Sequence, residues 1–240
     1  MNDRPANAFH RGQAREVLAA VPWFFHCQPE TLEKFVAQGR IREFRRDETI
    51  CRQGEHAHAL GVILRGIVEV SSTAPSGKRH VLTHLSASEI FNLVPLLDSE
   101  PVVYDARAHE PSSILYVPEA TFLAAVDQEA QLARELMHLL SFRSRALSGY
   151  ISDEMLMPLP TRCARMLLVL IEYHGRPRGD GSFLIDLKLS QEEFAEMLGR
   201  SRQSVNQELQ RLEDAGLIET AYSRFVVRDA AALKVIADKY

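Results

Sequence analysis

Cysteine is scarce in this chain and tryptophan nearly absent: Cys27, Cys51 and Cys163 are the three cysteines, with a single Trp, in 240 residues. An odd, scattered set does not build a disulfide framework and fits a reducing compartment. It also falls short of the roughly four thiolates that hold an iron–sulfur cluster. Long apolar runs are missing too. Stretches such as Met166 to Ile171 are far shorter than the roughly 20 residues a membrane-spanning helix takes. The opening MNDRPANAFHRGQ has no apolar leader core, so the expected location is the cytoplasm, with no membrane partner. Enzyme signatures are lacking as well. There is no nucleophile elbow with a Ser-His-Asp order, no paired metal ligands on a helix and no phosphate-binding loop, so no catalytic residues and no metal site are expected.

A surplus of positive charge is also absent. The net charge is -4, which counts mildly against nucleic acid for the chain as a whole, but the local face decides. Between Arg200 and Arg211 the cations are Arg200, Arg202 and Arg211, and Glu208 is the sole acid. That is a modest basic patch.

The composition that remains is ordinary: 46% hydrophobic and 25% charged. The length suits two domains better than one, since domains typically run to roughly 200 residues. Residues 13–20 and Pro29 to Gln38 read as short helices, the second ended by Gly39, with Pro22, Trp23, Phe24 and Phe25 as an apolar plug between them. From about Arg40 to Pro118 the pattern turns to short β segments, such as Leu60 to Leu64 and Ile67 to Val70, punctuated by Gly54, Gly61, Gly66 and Gly77. Short strands with regular turns predict an antiparallel barrel or jelly roll.

Glu119 to Val126 predicts a short helix, and residues 128–154 one long helix. In it Leu132, Leu136, Leu139 or Leu140, Leu147, Tyr150 and Ile151 recur at three- and four-residue steps. Two readings of that stripe stand: a helix docked on its own barrel, or a two-stranded coiled coil and hence a homodimer. Arg134, Arg143 and Arg145 are expected to face outward. Met157-Pro158-Leu159-Pro160 breaks the helix and is read as a stiff hinge. The expected division is therefore a β-barrel sensor over 1–127, a dimerisation helix over 128–157 and a DNA-binding domain over 158–240. Thr161 to His174 predicts a helix, Gly175 to Gly181 a mobile loop, and Phe183 to Ile185 a strand.

Ser190-Gln191-Glu192-Glu193 is a capping-box sequence, with Ser190 at the cap and Glu193 reaching back. The helix it opens stops at Gly199. After Arg200, Ser201 caps a second helix running to about Ala215, with Val205, Leu209 and Leu212 as its buried stripe and Gly216 beyond it. Leu217 to Arg228, with Tyr222 at its centre, alternates like a hairpin. Two helices about a tight glycine turn followed by a hairpin predict a winged helix-turn-helix. The alternative is a plain helical hairpin. Against it stands the exposed face of the second helix: Arg202, Gln203, Ser204, Asn206, Gln207 and Gln210. Arg grips guanine with two hydrogen bonds, and Asn or Gln does the same for adenine. Ser201 and the helix N-terminus suit a phosphate. The expected DNA-contacting residues are Ser190, Arg200, Ser201, Arg202, Gln203, Ser204, Asn206 and Gln207.

Two motifs resemble the Crp/Fnr family of regulators. One is Gln53-Gly54-Glu55 followed by Leu60-Gly61-Val62-Ile63-Leu64-Arg65-Gly66-Ile67-Val68-Glu69-Val70. The other is Leu189 to Ala195, continuing Leu198-Gly199-Arg200-Ser201-Arg202-Gln203-Ser204-Val205-Asn206-Gln207-Glu208-Leu209. The resemblance runs from about Phe24 to Val227. It implies an α+β architecture: an N-terminal antiparallel jelly-roll barrel, a long dimerisation helix and a C-terminal winged helix-turn-helix. It further implies double-stranded DNA as partner, a palindromic site read by a homodimer, RNA polymerase as a second partner, and an effector in the barrel. The family's recognition positions fall on Arg202, Gln203, Asn206 and Gln207. In its best-known cyclic-AMP member the second is Glu and the last Arg, so that member's operator does not carry over.

The family's cyclic-nucleotide cassette has Gly-Glu-Leu and, some ten residues on, Arg-Ser or Arg-Thr. Here those positions hold Phe91-Asn92-Leu93 and Val102-Val103, and the long-helix position that meets the base holds Leu147 and Ser148. The candidate effector pocket is thus Asn92, Leu93, Val102, Val103, Leu147 and Ser148, with no cation for a cyclic phosphate unless Arg107 or Arg65 reaches in. Tight cyclic-AMP binding is not expected. His26, His56, His58, His80, His84, His109 and His138 leave haem as a possible cofactor, against the plainer reading of exposed histidines on strands and turns. Redox sensing at Cys27 or Cys51, an unidentified small-molecule effector, and a signalling module acting through protein partners stay open.

Overall fold

The computed structural model describes residues 8–221 and 223–239; the N-terminal 1–7 and Tyr222, at the centre of the expected hairpin, lie outside the described residues. Strand alternation in the first half sorts side chains onto two faces. Eight strands form two antiparallel sheets: β1 (Arg40–Phe44), β2 (Thr49–Cys51), β3 (Ala59–Arg65), β4 (Val68–Thr73), β5 (Arg79–Leu85), β6 (Ile90–Phe91), β7 (Asp105–Ala108) and β8 (Ser112–Pro118). One sheet runs β1-β8-β3-β6 and the other β2-β7-β4-β5. Phe44, Ile63, Phe91 and Ile114 from the first share one core with Val68, Val70, Leu85 and Ala106 from the second. Apolar residues on the other face of the first sheet meet helices. Leu60, Val62, Leu115 and Val117 pack with α1 (Ala8–Ala20), α2 (Pro29–Gln38), α4 (Glu119–Gln128) and the start of α5 (Ala130–Leu156). Gly61 shows how tight the barrel is: a Cβ there would lie 2.2 Å from the Phe91 ring on the paired strand β6. A short helix, α3 (Leu93–Asp98), fills the β6–β7 connection.

The second half opens with α6 (Leu159–His174). Helices α7 (Gln191–Met197) and α8 (Arg202–Asp214) follow, with strands β9 (Gly175–Pro177), β10 (Phe183–Ile185), β11 (Ile218–Ala221) and β12 (Arg224–Val227), and a last helix α9 (Ala230–Ala237). The strands pair in the order β11-β12-β10-β9, all antiparallel. By contacts the chain falls into two compact units, Met1–Ser144 and Arg145–Tyr240, and α5 contributes to both. No helix among the described residues is long and apolar enough to cross a membrane.

Several expectations are corrected. The first helix begins at Ala8, not at residue 13. The loop expected over Gly175 to Gly181 is half strand: Gly175–Pro177 pairs with Phe183–Ile185, and the turn between is closed by the Arg178 amide donating to the Ser182 carbonyl at 2.8 Å. The long helix packs on the barrel's helical core along only the first part of its stripe. Leu132, Leu136 and Leu139 are buried in the barrel's helical core, whereas Leu147, Ile151 and Met155 are exposed. Arg143 turns inward instead of facing solvent. It is half-buried, and its Nη2 donates to the carbonyl of buried Ile90 at 2.8 Å, a group that calls for a donor once it leaves water.

Candidate nucleic-acid interface and sensor pocket

Capping sets the geometry of the helix-turn-helix. At Ser190 the hydroxyl accepts from the Glu193 amide (3.1 Å) while the Ser190 amide donates to Glu193 Oε2 (2.8 Å), the reciprocal capping box. Gly199 then takes φ 62, a left-handed turn that glycine enters without Cβ strain. Ser201 caps α8 by accepting from the Ser204 amide at 3.2 Å. Such caps are worth about 1 kcal/mol each. Below α8, Val205, Leu209 and Leu212 are buried, and Phe194 of α7 packs on Phe225 of β12 with ring centroids 5.1 Å apart. The helix is therefore fixed in rotation, and Arg202, Gln203, Ser204, Gln207 and Gln210 stand exposed on its other side, with Ser201 at its head.

Three expected contact residues are placed differently from that row. Ser190 spends its hydroxyl on Glu193, to which it also donates at 2.8 Å. Arg200 lies 3.3 Å from Glu154 of α5. Asn206 is half-buried, with its amide oxygen enclosed and making no hydrogen bond. To read an adenine with both amide atoms it would have to turn.

In the barrel a cleft of about 240 Å³ is lined by Ile50, Cys51, Glu55, His56, Ala57, His58, Ala59, Asn92, Val102 and Tyr116. Of the expected pocket residues, Asn92 and Val102 line it. Leu93 is buried in the helical core, Val103 is exposed, and Leu147 and Ser148 are exposed on α5; these four are not among the lining residues. Asn92 sits at φ 62. Its amide N–H donates to the Tyr104 hydroxyl (2.9 Å), which donates back to its Oδ1 (3.1 Å). Cys51, Glu55, His56 and His58 went unnoticed as a group, because the topology that folds the β2–β3 connection over Asn92 is not written in their spacing.

None of the lining residues is Lys or Arg. Arg65 faces Glu43 at 3.6 Å. Arg107 is committed to Glu69, with Nε at 3.0 Å and Nη2 at 2.9 Å from the two carboxylate oxygens, and Arg79 contacts the same carboxylate. Glu69 is fully buried, and these guanidiniums offset the cost of enclosing its charge. Its ligand atoms lie within 4.8 Å of those of buried His84 and His109. A divalent cation seated there would have to displace arginine from the carboxylate. Burial, with the nearby carboxylates Glu129 and Glu55, pushes the Cys27 and Cys51 thiols up to about 12. At neutral pH both are protonated and poorly nucleophilic, which weakens the redox reading.

A two-sheet barrel with a helical flank, followed by a winged helix-turn-helix, defines a DNA-binding transcription regulator. Residues 41–129 match the cyclic nucleotide-binding domain and residues 161–236 the Crp-like helix-turn-helix domain, together more than half of the chain. The chain belongs to the Crp/Fnr family. It is 25% identical over 218 residues to the CRP-like cAMP-activated global transcriptional regulator of Mycobacterium tuberculosis, covering 91% of this chain and 97% of that protein. It is 29% identical over 196 residues to the global nitrogen regulator of Synechococcus elongatus, covering 81% and 88%. A CRP-family transcriptional regulator from Thermus thermophilus superposes with a TM-score of 0.68 at 27% identity, covering 82% of this chain and 96% of that one.

Proposed function

We propose that this regulator acts as a homodimer that reads a palindromic promoter site through Arg202, Gln203 and Gln207, with Asn206 joining after its amide turns, and that its barrel does not take cyclic AMP tightly. The observation that carries the first part is the division of α8. Its apolar stripe is fully buried, and an exposed row of base-reading side chains begins at its capped N-terminus. Ser201, Ser204 and the first amides of α8 suit a phosphate. Two copies follow from Leu147, Ile151 and Met155, which leave an exposed apolar stripe at four-residue steps. Two-fold symmetry then gives half-sites about one helical turn apart. RNA polymerase is the partner through which such binding would change transcription. The second part rests on the cation-free cleft, where Glu55 would repel a phosphate.

Selection of bound duplexes from random DNA tests the reading. The wild type is expected to enrich a two-fold symmetric sequence. The Arg202→Ala, Gln203→Ala double variant is expected to lose that enrichment while keeping its oligomeric state, since each bidentate base contact supplies about 1–3 kcal/mol of discrimination. Enrichment of no sequence by the wild type would make the helix-turn-helix a protein-docking surface instead.

A further inference from the structure

The end of α5 is tied across the Pro158 break to the turn that precedes α8. Glu154, in the last turn of α5, faces Arg200 at 3.3 Å through Oε1 and bonds the guanidinium of Arg162 through Oε2. Arg162, in the first turn of α6, is buried, and its Nη2 also donates to the carbonyl of Leu198 at 2.6 Å. Leu198 is the C-cap of α7, so one carboxylate registers α5, α6 and the helix-turn-helix turn together. A second tie runs beside it: Asp153 pairs with Arg165, whose Nε donates to the Ala237 carbonyl of α9 at 2.9 Å. Tyr150, one turn back on α5, is half-buried next to Glu154 and carries a raised pKa from burial and that carboxylate. Residues 157–160, a stiff hinge by sequence, are spanned by these two ion pairs and lie within a single compact unit.

We infer that Glu154 is a positioning residue for DNA reading: through Arg162 and Arg200 it locks the turn before α8 to the end of the long helix, so that the proline segment is a rigid elbow. A change in the direction of this helix end is then carried to the recognition helix instead of being absorbed at Pro158. The chemistry favours such a lock. A buried guanidinium is costly unless its charge is met and its hydrogens are bonded. Replacing the Glu154 carboxylate by an amide leaves the buried Arg162 charge unmet, with only neutral oxygens to accept from it, and weakens the hold on Arg200.

This inference rests on the DNA-reading function, and the experiment separates the two. Glu154→Gln, Glu154→Asp and Arg200→Gln are compared with wild type on the duplex that the wild type selects and on an unrelated duplex of equal length at one salt concentration, with circular-dichroism melting alongside. Glu154→Gln is expected to weaken binding to the selected duplex at least tenfold. Its binding to the unrelated duplex stays equal or tightens, because a repelling carboxylate is gone and Arg200 is released toward phosphate. Glu154→Asp is expected to recover part of the loss. An unchanged selected-duplex affinity in Glu154→Gln, or an equal fall on both duplexes, overturns the inference. If Glu154→Gln unfolds, the surface variant Arg200→Gln decides. A loss confined to the selected duplex supports the lock, and an equal loss on both makes Arg200 a plain phosphate contact. A wild type that selects nothing fails the DNA reading itself, before any variant is compared.

Discussion

Cys163 on α6 is fully buried, as is Leu167 one turn further along the helix. Burial, and then the Glu208 carboxylate, push its thiol up from 9.0 to about 12, with Arg162 acting in the opposite direction. Below pH 9 the thiol is protonated both folded and unfolded, and contributes no pH dependence. Between pH 9 and 12 the unfolded chain loses that proton and the folded chain keeps it. The folded state then binds more protons, so stability falls as pH rises. Urea midpoints measured at pH 8, 9.5 and 10.5 are expected to drop along the series in the wild type. In Cys163→Ala the drop is expected to be shallower, since the ionisable group is gone. Parallel curves for the two proteins would show that Cys163 contributes nothing. The residue scale is also where sequence reading reached least. The Glu69 carboxylate with Arg79 and Arg107 brings together three strands through cross-strand pairing. Without that register, Glu69 is one more charge in an apolar run.

Among the elements, those with local signals were legible. The capping box at Ser190, the glycine turn and the four-residue stripe of α8 each depend on neighbours close in sequence, and each holds in the structure. The small helices α3 and α9 were not read. Helix α3 has six residues and opens at a left-handed Asn92, and α9 is announced only by Asp229, which accepts from the Ala232 amide at 2.9 Å. For α5 the sequence gives one continuous stripe, but the barrel ends partway along it, and periodicity carries no information about where a neighbouring surface stops. The two halves should therefore answer differently to substitution. Leu136→Ala removes a side chain that is buried in the helical core, and is expected to cost about 2–5 kcal/mol of folding stability. Ile151→Asp changes an exposed position. It is expected to leave the protomer's folding stability nearly unchanged while shifting sedimentation from dimer to monomer. If Ile151→Asp sediments as a dimer at micromolar concentration, the exposed half of α5 is not the dimer seam.

For the whole molecule the question is what the barrel does to DNA binding. Family membership leaves this open, since relatives bearing names as different as a cAMP-activated regulator and a nitrogen regulator match over most of this chain. A cyclic phosphate carries a full negative charge, and its transfer from water into a cleft is unfavourable unless a cation or several donors meet it. The cleft here offers Glu55, two histidines and the Asn92 amide, which is already bonded to Tyr104 and reaches the Ala59 carbonyl at 3.5 Å. The guanidinium of Arg107 is committed to Glu69. Bringing Arg107 into the cleft would remove one of the guanidiniums that meet a fully buried carboxylate, a cost of the order of 3–5 kcal/mol for broken buried pairs, or roughly a hundred- to several-thousand-fold in affinity at 1.4 kcal/mol per decade. Calorimetry with cyclic AMP at neutral pH is therefore expected to show no binding at micromolar concentrations, and the Kd for the selected duplex is expected to stay within twofold on adding the nucleotide. Linkage makes the two measurements check each other. A ligand that tightened DNA binding must itself bind more tightly when DNA is present, so a titration repeated on the protein–duplex complex would expose a cyclic-nucleotide response that the free protein hides. Micromolar binding in either titration would mean that a cation reaches the phosphate by a rearrangement of the Glu69 ion-pair knot. In that case Glu69→Gln, which removes the carboxylate that holds both arginines, should strengthen the nucleotide's affinity.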